Sequence, residues 1–273
     1  MKNILTIAQF TVREALSRKI VIAFFAISTF VILLFTGIFA FVPFEDLTGM
    51  IRMQNKEVIN ISKEIVKMFK LFVIAPLFGG GLFLAIFSAS GFIPNMLEKG
   101  NIDLLLSKPI SRSQIILGKF LGGVLIVLAN IAYLIISIWL LIGVKFGIWN
   151  IDFLSSILTI TFAFATLYAL IILIGILTQS SVLSMMISYL IFFIFSPLLS
   201  ARENVAMFTD SKLTKYILEF LYYIVPQTSE LGSIAKDLAL GQRVISFQPL
   251  LVSTLFIILI LYLSIIIFDK KDY

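Results

Sequence analysis

Five long stretches of this chain contain no charged residue. Four of them hold 25 to 27 residues each and cover positions 20–44, 71–97, 120–144 and 244–268. An α-helix rises ~1.5 Å per residue, so about 20 helical residues cross the ~30 Å hydrocarbon core of a bilayer. Each of the four stretches is therefore long enough to span a membrane as a single helix.

The fifth uncharged stretch covers residues 153–201 and holds 49 residues. As one helix it would run ~74 Å, more than twice the thickness of the hydrocarbon core, so it must fold back on itself. The polar cluster Thr178-Gln179-Ser180-Ser181 near its centre predicts a tight turn. The sequence thus predicts six spans, near residues 20–42, 71–94, 115–142, 154–177, 182–199 and 249–268.

Charged residues make up 13% of the 273 residues and hydrophobic residues 60%, whereas a soluble domain usually carries roughly 25% charged residues. That leaves too little polar surface to cover a globule in water. We therefore expect an all-α integral membrane protein, with residues 1–273 forming a single transmembrane domain in contact with lipid.

The chain contains no His and no Cys. It therefore lacks the usual ligands of zinc, copper and iron and the usual general base at neutral pH. A serine protease would need a base for Ser88, Ser137 or Ser188, and the spans offer none at depth. We expect no catalytic site, no metal and no bound cofactor, and the absence of a basic run with interleaved aromatics predicts no nucleic-acid partner.

Lys and Arg in short flanking segments indicate the orientation of the spans. With the N-terminus inside, ten of these residues lie in short cytoplasmic segments. The other eleven lie in longer loops on the opposite side, where ten acidic residues nearly balance them. We predict a multi-pass protein of the plasma or inner membrane with both termini in the cytoplasm.

Residues 3–19 predict an amphipathic helix at the membrane interface. Glu14 and Arg18 lie four residues apart on it, in the order that favours an ion pair. Two roles remain open, a simple membrane anchor and an interfacial elbow that transmits force from a cytoplasmic partner. The predicted apolar face comprises Ile4, Leu5, Ala8, Val12, Ala15, Leu16 and Ile20, opposite Asn3, Thr6, Gln9, Arg13 and Ser17.

Further amphipathic segments flank the spans on the outer side. Residues 57–70 could extend the second span or cap the translocation path, and we expect the extension. Between spans five and six, a helix capped by Asp210 or Ser211 should precede a shorter helix over residues 229–241 that ends at Gly241. These two short outer helices are expected to lie on the membrane or to pack over the outer ends of the spans.

The connection between spans two and three carries clear local signals. Ser111, with Gln114 three residues later, predicts a capping box, so the third helix should begin at Arg112. Ile110 and Ile115 are spaced as the matching hydrophobic staple. Gly100 is expected to end the second helix in a left-handed conformation.

Between Gly100 and Ser111 the connection is more apolar than a solvated loop requires. Asp103 suits the N-terminus of one short helical turn. It leads into Leu104, Leu105 and Leu106. These leucines are expected to lie in the membrane interface or to bind in a groove of a partner protein.

The run from Glu98 to Lys119 resembles the cytoplasmic loop of type-2 ABC transporter permeases. In that loop an acidic segment is followed by Gly, a Leu-Leu-Ser turn, Pro-Ile-Ser-Arg and Gly-Lys. Residues 8–19 are similar to the N-terminal helix of the same family, and within it the chain is most similar to the branch linked to multicopper-enzyme maturation. Members often carry more acids before the Gly, where this chain has Glu98 alone.

The resemblance implies the permease subunit of an exporter that is driven by separate cytoplasmic ATPase subunits, which would hold the ATP and Mg. It also implies that two permease copies pair. The sequence is consistent with this, because it contains no phosphate loop of the G-x-x-x-x-G-K-[ST] type. The ATPase-coupling surface would comprise Arg13, Glu14, Arg18, Glu98, Gly100, Asp103, Leu104, Leu105, Pro109 and Arg112.

Two other functions remain open. An ion-coupled secondary transporter generally needs charged residues at depth, which the apolar interiors of the spans lack, although backbone oxygens at a broken helix can coordinate sodium. A nontransporting subunit could instead use the ATPase stroke for signalling or assembly.

Two features inside the spans are candidates for the translocation path or for helix packing. Pro76 and the run Gly79-Gly80-Gly81 predict a break in the second span, which would serve either as part of the path or as a kink with close helix packing. Asn130 in the third span would either touch substrate or hydrogen-bond to a neighbouring helix.

Overall fold

The computed structural model of the chain describes residues 2–17, 19–41, 61–102, 107, 110–207, 212–244 and 246–271. These residues are largely helical, and none of them lies in a β-strand. Two short π-helical segments, Leu77–Gly81 and Ile191–Phe195, interrupt the α-helices. The α-helices are α1 (Lys2–Leu16), α2 (Lys19–Phe41), α3 (Ile61–Pro76), α4 (Leu82–Ala89), α5 (Phe92–Met96), α6 (Arg112–Phe146), α7 (Asp152–Thr178), α8 (Ser181–Leu190), α9 (Ser196–Ser200), α10 (Arg202–Met207), α11 (Lys212–Ile224), α12 (Thr228–Leu240) and α13 (Gln248–Lys270).

Six helical segments in the described part of the chain are long and apolar enough to cross a membrane. The predicted all-α membrane fold and its six spans are thus confirmed. The second and third spans are longer than predicted, because helical structure continues through the charged residues at their ends. The observed spans are Val21–Phe41, Lys63–Met96, Arg112–Phe146, Asp152–Thr178, Ser181–Ser200 and Gln248–Lys270.

The helix of the second span includes most of the amphipathic segment 57–70 that was predicted to precede it. Helix α3 already begins at Ile61, so the prediction that this segment extends the second span is confirmed from that residue onward. Residues 57–60 lie outside the described part of the chain.

The fourth span, α7, lies at the centre of the bundle, and most of its side chains are buried. It packs against α6, α8, α12 and α13. A helix with neighbours on all sides needs apolar residues all round, which explains why this part of the sequence has no polar face.

The predicted turn within the longest uncharged stretch directly follows α7. Gln179 adopts a left-handed conformation with φ of 54°, and its N–H donates to the carbonyl of Gly175 at 2.9 Å. Ser180 then caps α8, because its Oγ accepts from the N–H of Leu183 at 3.4 Å. The fifth span therefore begins as the sequence predicted.

The spans run between two ends of the bundle. One end carries residues 97–102, 107, 110 and 111 together with the C-termini of α7 and α13, and we call it the loop end. Residues 147–151, which join α6 to α7, lie at the opposite end. Helices α11 and α12 connect the fifth span to the sixth on the side of that opposite end.

Helix α12 packs into the bundle rather than merely over the ends of the spans. Leu231 and Ala235 are fully buried. Gly232 lies against Phe78 of the second span so closely that a Cβ on the glycine would be 2.7 Å from Cε1 of the ring. Gly241 ends the helix in a left-handed conformation with φ of 70°, as predicted.

Helix α11 confirms the other predicted outer helix, and its apolar face is exposed. Leu213 is 71% exposed and Tyr216 is 75% exposed. An exposed apolar face on a helix that joins two spans fits a position at the membrane interface. The predicted caps Asp210 and Ser211 lie outside the described residues.

Candidate functional site

The start of α6 is fixed by the predicted capping box. The Oγ of Ser111 accepts from the N–H of Gln114 at 3.3 Å, and Gln114 Oε1 accepts from the N–H of Ser111 at 3.4 Å. Ile115 is buried, and Ile110 is partly buried against the same core. The prediction that the third helix begins at Arg112 is confirmed. The capping box thus fixes the direction in which the chain enters α6 at the loop end.

The entry to this loop is also compact. The N–H groups of Asn101 and Ile102 both donate to the carbonyl of Glu98, and the side chain of Asn101 donates to the carbonyl of Asn95 at 2.9 Å. Gly100 has φ of 92°, which confirms its predicted left-handed conformation. The side chain of Glu98 is exposed at this turn, where an approaching protein could reach it.

Arg112 ties the start of the third span to the end of the sixth. Its guanidinium donates to the carbonyls of Phe268, Asp269 and Lys271 and lies over the ring of Phe268. The last carbonyls of a helix lack partners within the helix and carry partial negative charge, so a cation stabilises them. The candidate coupling residue Arg112 therefore also caps α13.

Lys271 extends this connection to the fourth span. Its Nζ donates to the carbonyls of Ile176 at 2.6 Å and Leu177 at 3.1 Å, in the last turn of α7. Sequence reasoning did not assign Lys271 a role, although a lysine just after a helix is a known signal for contacts to terminal carbonyls. Through Arg112 and Lys271, the ends of three spans are linked by charge-assisted hydrogen bonds.

Helix α1 lies lengthwise against the first turns of α6. Asn3 Nδ2 donates to Gln114 Oε1 at 3.2 Å. A Cβ on Gly118 would be 2.6 Å from Cβ of Ile7, and a Cβ on Gly122 would be 2.6 Å from Cβ of Thr11. Because contacts advance in the same direction along both helices, α1 and α6 run parallel.

The close approach of α1 depends on the spacing Gly-x-x-x-Gly in α6, a pattern that lets helix backbones come together. Sequence reasoning overlooked this pattern. Of the predicted apolar face, Leu5 and Leu16 are exposed on the surface of the bundle, whereas Ala8 and Ala15 are buried. The predicted position at the membrane interface stays a prediction. The residues of α1 that the bundle buries are Ile7, Ala8, Thr11 and Ala15.

An ion pair joins α1 to α6. Lys119 Nζ lies 2.7 Å from Glu14 Oε2, and the lysine side chain is only 4% exposed. Tyr168 of the central span donates its hydroxyl to the carbonyl of Lys119 at 3.2 Å. The sequence placed Lys119 among the charges that flank the third span, whereas the structure buries it in the bundle with Glu14 as its partner.

The remaining residues of the predicted coupling surface divide into two groups. Arg13 is exposed on α1, and Glu98 and Gly100 are exposed at the turn before the loop. The others lie outside the described part of the chain, and these are Arg18, Asp103, Leu104, Leu105 and Pro109.

The predicted break in the second span is present. Gly79, Gly80 and Gly81 lie in the first π-helical segment, directly after Pro76, and both features disturb the regular α-helical ladder. Gly79 and Gly80 themselves do not make a close helix contact, because a Cβ on either would meet no described atom within 4 Å, whereas Phe78 of the same segment packs closely against Gly232. A Cβ on Gly81 would meet only Leu77 of the same segment.

Asn130 joins two spans. Its side chain is fully buried, and its Oδ1 accepts from Ser28 Oγ of the first span at 3.0 Å. Its Nδ2 has no hydrogen-bond partner among the described atoms. Of the two roles predicted for Asn130, the contact between helices is the one that the structure supports.

Comparison with known proteins agrees with this architecture. A family model described as ABC-2 family transporter protein matches residues 5–273, nearly the whole chain. Among curated proteins, none matches the chain.

Proposed function

Because the chain belongs to the ABC-2 family of transporter proteins, we propose that it is the permease subunit of an exporter powered by a separate cytoplasmic ATP-binding-cassette ATPase. Membrane subunits of this family are noncatalytic and work with such ATPases. In this proposal ATP and Mg bind to the partner, and this chain binds no cofactor of its own.

One observation carries the proposal, namely that the loop end is mechanically connected. The capping box fixes Ser111 to the first turn of α6, and Arg112 and Lys271 link that turn to the ends of α13 and α7. Helix α1 packs on the same turns of α6 through Gly118 and Gly122. A displacement applied to the loop would therefore reach spans three, four and six and the N-terminal helix together.

The proposed coupling surface combines exposed polar residues with the apolar loop. Arg13, Glu98 and Gly100 are exposed, and Leu104 and Leu105 supply apolar side chains at the centre of the loop. Apolar anchors surrounded by polar groups are typical of protein interfaces. Glu14 and Arg112 stabilise the helices that carry this surface, since Glu14 pairs with Lys119 and Arg112 binds the carbonyl of Lys271.

Further parts of the proposal rest on the sequence alone. They are the pairing of two permease copies, the plasma or inner membrane with cytoplasmic termini, and the branch linked to multicopper-enzyme maturation. The runs 8–19 and 98–119 carry the resemblance to the family, within which the chain is most similar to that branch. The charge distribution in the flanks supports the orientation.

The proposal is tested by purifying the tagged chain from its native membrane and measuring ATP hydrolysis by the recovered complex. Leu105→Glu should lower the recovered ATPase activity by about tenfold or more, because apolar anchors at an interface are typically worth about 2 kcal/mol. Ile151→Glu, the same kind of change at an exposed residue of the opposite end, should leave it unchanged. Recovery of a complex without ATPase, or equal activity for both variants, would contradict the proposal.

A further inference from the structure

The two π-helical segments face each other across the second and fifth spans. The rings of Phe78 and Phe192, one from each segment, lie 5.7 Å apart between centroids. One turn further toward the loop end, Tyr189 stacks on Phe83 at 4.5 Å and donates its hydroxyl to the carbonyl of Phe83 at 2.9 Å. Both spans thus depart from regular α-helix where they meet, a feature that is frequent at functional sites.

A groove of about 360 Å³ lies between these segments and α12. The second span contributes Ile74 and Phe78 to its walls, and the fifth span contributes Phe193 and Pro197. Phe193 is itself half exposed, so the groove opens on the surface of the bundle that faces lipid. This volume and this mainly apolar lining are typical of small-molecule sites.

Gly79 keeps the groove open. It lines the groove, and a Cβ added to it would meet no described atom within 4 Å. The neighbouring Gly80 has equally open surroundings but does not line the groove. A side chain at position 79 would therefore occupy the groove without a clash inside the protein.

The wall formed by α12 is polar and positively charged. Ser229, Ser233 and Lys236 line it. Lys236 is exposed and makes no ion pair or hydrogen bond with another described residue. A groove with one apolar side and one unpaired cation complements a molecule that has a hydrocarbon chain and an anionic head group.

We propose that this groove binds an anionic phospholipid of the surrounding membrane, with one acyl chain along Phe78, Gly79 and Phe193 and the phosphate at Ser233 and Lys236. The membrane is the source, because the groove opens beside the spans where acyl chains are present at high concentration. Burial of each methylene group contributes about 0.8 kcal/mol, and a basic residue beside an anionic head group about 1 kcal/mol. This inference goes beyond the proposed function and does not depend on it.

The test uses the full chain in phosphatidylcholine nanodiscs, with a phosphatidylglycerol that carries a photoreactive diazirine on its acyl chain as the probe. After illumination, peptide mass mapping should place the label on residues 71–79 and 192–197. Unlabelled phosphatidylglycerol should compete about fivefold better than phosphatidylcholine, as one cation beside the head group implies. The assay contains neither ATP nor an ATPase, so its outcome is independent of the proposed coupling.

Two pairs of variants sharpen the test. Gly79→Leu should reduce labelling of the groove peptides about tenfold, since its side chain takes the place of roughly two methylene groups, whereas Gly80→Leu should leave labelling unchanged. Lys236→Gln should keep the label but remove the preference for phosphatidylglycerol, and Lys215→Gln on α11 should retain that preference. Undiminished labelling of Gly79→Leu, or equal competition by the two lipids on the unchanged chain, would overturn the proposal.

Discussion

Lys119 Nζ and Glu14 Oε2 lie 2.7 Å apart, although 105 positions separate the two residues in the sequence. The lysine side chain is almost fully buried, while that of the glutamate is 29% exposed. A buried cation that loses its partner keeps its desolvation cost without compensation. The pair is therefore an electrostatic contact that holds α1 to the third span.

Glu14→Gln should destabilise the protein by about 2 kcal/mol, less than the ~3–5 kcal/mol of a broken fully buried pair, because Glu14 is partly exposed. Thermal unfolding in detergent measures this loss. The double variant Glu14→Gln/Lys119→Met should recover most of it, since no buried charge is left unpaired. The exposed pair Glu64–Lys67 provides the control, because Glu64→Gln should cost less than about 0.5 kcal/mol.

Replacing Gly122 should displace α1 from the third span. Gly122→Leu puts a side chain where Cβ of Thr11 would be only 2.6 Å away from the new Cβ, so the two backbones must separate. The chain has no Cys, so Asn3→Cys with Gln114→Cys forms a clean cross-linking pair. We expect efficient cross-linking in the parent and a loss of about tenfold in Gly122→Leu, comparable with other overpacked contacts.

Gly37 supplies the matched control for that experiment. A Cβ on Gly37, in the first span, would meet no described atom within 4 Å. Gly37→Leu should therefore leave the cross-link intact. Equal cross-linking in Gly122→Leu and in the parent would show that α1 does not depend on the Gly-x-x-x-Gly contact.

Removing either cation that caps a helix end should lower stability without changing the fold. Arg112→Gln and Lys271→Gln should each cost about 1–2 kcal/mol, because hydrogen bonds from charged donors are the stronger class. The midpoint of thermal unfolding reports the loss. Arg243 is exposed and makes no hydrogen bond to another described residue, so Arg243→Gln should change the midpoint little. A drop in the midpoint as large as that of the two capping variants would show that Arg112 and Lys271 do not stabilise the helix ends specifically.

The orientation of the bundle can be read with a reagent that does not cross membranes. Ser107→Cys places a thiol in the loop, and Ile151→Cys places one at the opposite end, both at exposed positions. In intact cells a charged maleimide should label position 151 and reach position 107 only after permeabilisation. The reverse pattern would move the proposed coupling surface to the outside and exclude a cytoplasmic ATPase as its partner.

The stability of the folded protein at alkaline pH should depend on the ionisation of the Tyr222 side chain. Burial and the neighbouring carboxylate of Glu230 raise its pKa, while Arg202 over its ring opposes the shift. A raised pKa in the folded state means that Tyr222 stabilises the fold below its ordinary value of ~10 and that this contribution is lost as pH rises through the folded value. The stability advantage over Tyr222→Phe should therefore shrink above pH ~10 in denaturation profiles.

The features that sequence predicted correctly are local ones. The six spans follow from hydropathy over about 20 residues, and the capping box at Ser111 and the C-terminal glycine at Gly241 depend on residues within a single helical turn. The turn at Gln179 follows from the length of an uncharged stretch that no single helix could accommodate.

The features that sequence missed depend on partners that are distant in the chain. Lys119 can be buried because Glu14 pairs with it. Helix α12 packs deep in the bundle because Gly232 leaves room for the ring of Phe78. The burial of Ile7 and Thr11 on α1 follows from where Gly118 and Gly122 allow that helix to approach. Periodicity identifies an amphipathic helix, but it does not say which neighbour its apolar side will meet.

The pairing of Glu14 with Lys119 also imposes an order on biogenesis. Glu14 leaves the ribosome more than one hundred residues before Lys119 does, so the first two spans enter the membrane while the N-terminal helix has no binding site. Its docking waits for the third span, because Gly118, Gly122 and the lysine arrive together on that segment. The N-terminal helix therefore reaches its final place only after the third span has been synthesised, well after its own synthesis.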